Sequence, residues 1–187
     1  NGIMICGINF GISKSEEQAD QNGQTATLEE KSFFADDSVR KTDDFNRRIV
    51  TWLTSWGIPL TRTTGSETSF DKRFFQTNWL GSQTPNADVE GKAGVLLENS
   101  AGILSLIRDR KPAVIMFFGK ELINALNDTR PVRSLKGQSV REMAESTLGL
   151  RSGNPQKHRV LRPDGTETKN FISFQQYGDT QIIIVPH

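Results

Sequence analysis

The stretch PAVIMFFGKELINALND, Pro112 to Asp128, holds a change of character in the middle. Behind a proline comes an unbroken apolar run, short enough for a strand and lacking the polar alternation of a half-exposed one, so it predicts a strand buried on both faces. Gly119 interrupts it, and KELINALND beyond the glycine reads as a helix. Three more runs share the first character: IMICGINF near the start, RFFQTNWL in the middle and TQIIIVPH at the end. Helical patterns separate them. In TDDFNRRIVTWLTSWG, Thr42 is a candidate N-cap with two acids behind it. Phe45, Ile49, Trp52, Leu53 and Trp56 then share one stripe, a core-facing pattern, and Gly57 and Pro59 end it. GVLLENSAGILSLIRDRK predicts one continuous helix with basic residues at its carboxyl end, and SVREMAESTLG another. Strand and helix in alternation predict an α/β fold: a three-layer α/β/α sandwich around a short, mostly parallel, four-stranded central sheet. HRVLRPDGTETKNFISFQQYGD breaks the rhythm. Its strand-like arms around Pro163-Asp164-Gly165 predict a hairpin inserted before the last strand. Ser13 to Asp37 is polar and reads as a long loop.

The chain of 187 residues is the length of one domain, spanning 1–187. Its 23 Lys and Arg balance 22 Asp and Glu, so net charge points to no partner. The distribution is less even: Arg130 to Lys169 carries nine basic and four acidic residues, against six and nine from Asn1 to Val50. The basic segment, Arg151 to Arg162 in particular, is either a phosphate-contacting surface or an ordinary solvated face. A single cysteine, Cys6, rules out an internal disulfide and a multi-cysteine zinc site, and its apolar neighbours predict a core residue. With only His158 and His187 as imidazoles, no metal site is expected. No apolar run has membrane-spanning length and no signal peptide is apparent, which predicts a cytoplasmic protein. The abrupt stop after TQIIIVPH suggests a natural chain continuing past His187.

In open α/β sheets ligands bind beyond the carboxyl ends of the strands. That rule gathers Gly7 to Gly11 after the first run, Asn78 at the end of the second, Gly119 and Lys120 after the third, and His187 after the fourth. The set has amides, glycines and a histidine but no carboxylate pair and no Ser-His-acid order. FFGKEL lacks the flanking residues of a P-loop, and GINFG does not match GxGxxG.

With GINFG, QTNWL, FFGKE and VPH in this order, the chain resembles the uracil-DNA glycosylase superfamily, most nearly its mismatch-specific uracil/thymine members. The likeness runs from Gly7 to His187, and SFFAD ahead of FNRRIVTWLTSWGIPL adds to it. Phe10 stands where the family motif has Pro, and Gly11 where the strict uracil enzymes carry a Tyr that excludes thymine.

The resemblance implies hydrolysis of the bond between a base and its deoxyribose, on a nucleotide flipped out of the duplex, with no metal or organic cofactor. Asn9 and His187 would be catalytic, Asn9 holding the attacking water and His187 donating to the O2 of the departing base. Gly7, Ile8, Phe10, Gly11, Phe34 and Asn78 would bind the base. Phe34 (or its neighbour Phe33) supplies the stacking floor, Asn78 reads the O4 and N3–H edge, and the main chain near Ile8 and Phe10 makes further contacts. Gly119 and Lys120 would contact DNA. An amide cannot take a proton as a carboxylate can, so slower chemistry is expected than in members with Asp in place of Asn9. The partner implied is uracil-containing or mismatched DNA, met by a monomer in the cytoplasm or, in a bacterium, at the nucleoid. Two other readings stay open: a non-catalytic nucleic-acid- or protein-binding module with the same fold, and a small-molecule α/β enzyme of another class.

Overall fold

A computed structural model describes residues 2–8, 44–55, 57–58, 73–80, 92–162 and 164–185. The four apolar runs form strands β1 (Ile3–Gly7), β2 (Phe74–Asn78), β3 (Val114–Phe118) and β6 (Thr180–Val185). The hairpin arms form β4 (Gln156–Leu161) and β5 (Glu167–Tyr177). Among the described residues five helices accompany them: α1 (Asp44–Ser55), α2 (Lys92–Glu98), α3 (Ser100–Arg110), α4 (Lys120–Leu126) and α5 (Val140–Leu148).

The fold is α/β, and among the described residues its sheet has six strands, in the order β2-β1-β3-β6-β5-β4, rather than the expected four. β2, β1, β3 and β6 run parallel to their neighbours, while β5 pairs antiparallel with β6, and β4 with β5. The hairpin is therefore part of the sheet. Its arm β5 covers the edge of β6 and satisfies backbone groups that an end strand would leave to solvent. Tyr177 and Thr180 are paired across the two-residue turn Gly178-Asp179, and Gly178 adopts φ +48°, the left-handed geometry that such a turn needs.

Alternation along the strands sends apolar side chains to both faces. Met4, Cys6, Ile115, Phe117 and Ile182 pack under α2 to α5, whereas Ile5, Met116, Phe118 and Val185 meet Ile49, Val50 and Leu53 of α1 on the other side. This two-sided burial is why the parallel strands read as continuous apolar runs. Trp52 is half-buried and stacks on Phe118, ring centroids 5.9 Å apart. Thr42 lies outside the described residues, as does Trp56.

A second expectation fails at Asn99. The pattern read as one helix is two, because Asn99 leaves the helical path at φ −99°, ψ 12°. Its Nδ2 donates to Val95 O (2.9 Å) and Ser100 Oγ to Leu97 O (2.6 Å), so short polar side chains compete with the helical ladder there. Lys111 closes α3 in the left-handed conformation and Pro112 prevents its continuation. α5 begins with a reciprocal capping box: Glu142 N–H donates to Ser139 Oγ, and Ser139 N–H to Glu142 Oε2 (2.8 Å).

Candidate functional site

Four neighbouring parallel strands end on the same edge of the sheet, and that shared direction builds the rim. β1 leads to β2 on one side, whereas β3 and β6 lie on the other, so the chain reverses its winding between β1 and β3. A crevice opens at such a switch point, outside the carboxyl ends.

Gly7 closes β1 and is the register partner of Asn78, which closes β2. The pairing continues past both: Trp79 N–H donates to Gly7 O and Leu80 N–H to Ile8 O, each at 2.9 Å. Asn78 is thus held on a stiff ladder rather than on a free loop. Trp79 anchors this corner. It is 2% exposed, its Nε1 donates to Leu96 O (2.7 Å), and its ring lies 5.9 Å from that of Phe117. On the other side of the switch point, Gly119 N–H donates to Val185 O (3.1 Å), joining the ends of β3 and β6. Gly119 has φ +119°, a conformation that favours glycine, and Lys120 opens α4 from it with an exposed side chain.

A cavity of about 350 Å³ lies beside the end of β2. Thr77, Asn78 and Trp79 line it from the strand, and Glu98, Asn99, Ala101, Gly102, Ile103 and Leu106 from the break between α2 and α3. The helix break is therefore part of a concave surface. The sequence carries one signal for it, Asn99-Ser100 inside an otherwise helical pattern. Pleating puts Gln76 and Asn78 on the face covered by α1, together with Ile5, and Thr77 on the opposite face. Among the described residues one buried side-chain acceptor, Gln76 Oε1, has no hydrogen-bond partner. An unpaired acceptor of this kind, two residues before Asn78, is expensive unless something else satisfies it.

Of the residues expected at the site, Gly7, Ile8, Asn78, Gly119 and Lys120 are described, and all five occupy the ends or first turns of rim elements. Ile8 differs in one respect: its side chain is 3% exposed and belongs to the core under α2 to α5, so only its main chain is available to a ligand. Asn9, Phe10, Gly11, Phe33, Phe34 and His187 lie outside the described residues. Cys6 is fully buried and burial pushes its thiol far up, which makes it a core residue and no nucleophile. Among the described residues no three His, Cys, Asp or Glu side chains gather to hold a metal ion, and no helix is long and apolar enough to cross a membrane.

No family model matches the chain, and no curated protein matches it. Among solved structures it is similar to a domain of unknown function (DUF1537) from Bordetella bronchiseptica, crystallised with bound citrate as a domain-swapped dimer, at 11% identity and a TM-score of 0.33. The match covers 99% of this chain and 37% of that one, so the chain spans little more than a third of that protein's length.

Proposed function

We propose that this protein is a DNA glycosylase, hydrolysing the N-glycosidic bond of uracil or a related modified base without metal or organic cofactor. One observation carries the reading: the segments resembling glycosylase motifs each begin within one of four parallel strands that end on one edge, with Gly7 and Asn78 side by side in register. In this reading those four strands are the catalytic sheet, and the β4–β5 hairpin is an insertion beside it.

The chemistry follows from what the bond needs. As it breaks, positive charge grows on the sugar and negative charge on the leaving base. Donors already aimed at the base oxygen lower the barrier because they need not reorganise. Asn78 reads the Watson–Crick edge of the flipped base, Phe34 stacks on it, and His187 donates to O2. Asn9 holds water against the sugar carbon, where the water oxygen forms the new bond while the base departs with the old bonding pair and takes up the proton that the water sheds. Gly119 and Lys120 hold the strand. The partner is uracil-containing or mismatched DNA, and the enzyme works as a cytoplasmic monomer.

The test is direct. The purified protein, in molar excess, is incubated with labelled oligonucleotides carrying one uracil, single-stranded or opposite G or A, and abasic sites are converted to breaks with alkali. Strand breakage is expected, and Asn9→Ala and Asn78→Ala should each abolish it while circular dichroism stays unchanged. Intact uracil in all three substrates would overturn the reading.

A further inference from the structure

The β4–β5 hairpin does not stop at the rim. Ser173 of β5 pairs with Ile184, one residue before β6 ends, so the chain from Phe171 back to Glu167 runs on past the last parallel strand. With β4 beside it and the turn at its tip, the ribbon overhangs the rim by roughly 15–20 Å at 3.4 Å per residue. The arm thus projects from the same edge of the sheet as the rim, with β6 between it and β3.

Its two faces differ. Opposed residues in an antiparallel pair share a face, so Lys157 and Ser173 lie on one side with Arg159 and Phe171, while Leu161 opposes Glu167 beyond a register shift that interrupts the ladder after Arg159. Gln156 and Phe174, with His158 and Ile172, lie on the other. Charge and apolar surface thus coincide on the first face, where Phe171 is 39% exposed; Leu161, past the register shift, is 58% exposed. Arg159 Cζ sits 4.9 Å from the Phe171 ring centroid, so the guanidinium covers one side of the ring. The arm's acids are engaged. Glu167 pairs with Arg159 at 3.0 Å, and Asp164 Oδ1 accepts from Thr166 N–H (2.9 Å) and Oγ (2.7 Å) in the turn. Lys157, Arg162 and Lys169 are exposed and make no ion pair among the described residues.

We infer that this arm binds single-stranded DNA, with Lys157, Arg162 and Lys169 contacting phosphates and an unstacked base lying on the Arg159–Phe171 pair. A guanidinium lying over a part-exposed ring, with further cations nearby, suits bases that are free to stack, which a duplex does not offer. The inference rests on the glycosylase reading for its place beside the rim, but its test does not need base release. Lysines on an outer strand also keep sheets from pairing edge to edge. That use alone predicts no effect on DNA binding.

Binding of a short fluorescein-labelled single strand without uracil is followed by anisotropy over a series of salt concentrations. For the triple variant Lys157→Gln, Arg162→Gln, Lys169→Gln, the log–log salt slope should fall by about 2, since each lost phosphate contact on a single strand removes about 0.7. Phe171→Ala should weaken binding roughly tenfold with the slope unchanged. Lys157→Arg with Lys169→Arg should keep the wild-type slope. Binding equal in wild type and triple variant, preference for a duplex of the same sequence, or no binding by the wild type would each overturn the inference. Arm-dependent binding without uracil release would fell the glycosylase reading alone. Uracil release with arm-independent binding would fell the arm alone.

Discussion

The parallel half of the sheet and the β4–β5 ribbon share one hydrogen-bonded ladder and little else. In β1 and β3 four of five residues are buried, because helices close both faces; in β4 none is. The same backbone geometry thus serves two purposes, and what covers each strand decides which. Stability should be concentrated in the parallel half, leaving the ribbon's side chains free for contacts outside the molecule. The two regions meet at Tyr177 and Gly178, where β5 turns into β6 against the carboxyl end of α5.

The comparison breaks most visibly if the core is touched without effect. Phe117 is fully buried on β3, and Phe117→Ala should cost about 3–5 kcal/mol in urea unfolding through lost burial and the cavity left behind. At the junction, a side chain on Gly178 would collide with the Leu148 carbonyl oxygen, and its φ of +48° is already unfavourable for other residues. Gly178→Ala should therefore cost more than about 2 kcal/mol and raise hydrogen exchange along β5 ahead of β1.

Tyr177 sharpens the picture from the ribbon's side. Its hydroxyl donates to Asn127 Oδ1 (2.6 Å) and Asn127 Nδ2 donates to Gln175 Oε1 (2.9 Å), which ties β5 to the end of α4. Tyr177→Phe should cost about 1–3 kcal/mol by leaving the Asn127 oxygen without its donor. Burial pushes this phenol up to about 12 from its ordinary 10.0. Its raised value means that the neutral hydroxyl favours the folded state. That contribution is complete below pH 10.0 and is lost as pH rises through about 12, so alkaline unfolding of Tyr177→Phe should lack this step. The smallest effect belongs to the ribbon: Phe171→Ala should cost no more than about 1 kcal/mol, the size of an exposed cation–π contact. A loss matching that of Phe117→Ala would erase the distinction between the two halves.

Much of the fold was legible because burial on two faces leaves a local mark. IMICG, FFQTN, VIMFF and TQIIIV stood out as apolar runs, and Pro163-Asp164-Gly165 announced the tip of the hairpin. Two features were missed, and for different reasons. Gly178-Asp179, a two-residue turn between strand patterns, signals that β5 folds back on β6, but a local turn does not say that the pair joins the parallel sheet. The break at Asn99 is weaker as a signal, since a short polar residue is tolerated in many helices. Only the side chains' bonds to Val95 O and Leu97 O end this one. At the rim, Asn78 was recognisable from its place after an apolar run. The unpartnered Gln76 oxygen and the cavity beside Asn99 were not, because they arise from what neighbours them in space.

By itself the amino-acid order determined which segments become buried strands and which become helices, because hydrophobic period and capping act over a few residues. The order of the parallel strands, the pairing of Gly7 with Asn78, and the reach of the β4–β5 arm past the rim were decided only in three dimensions. Those depend on which strand edges find each other across long stretches of chain, and no local pattern encodes that choice.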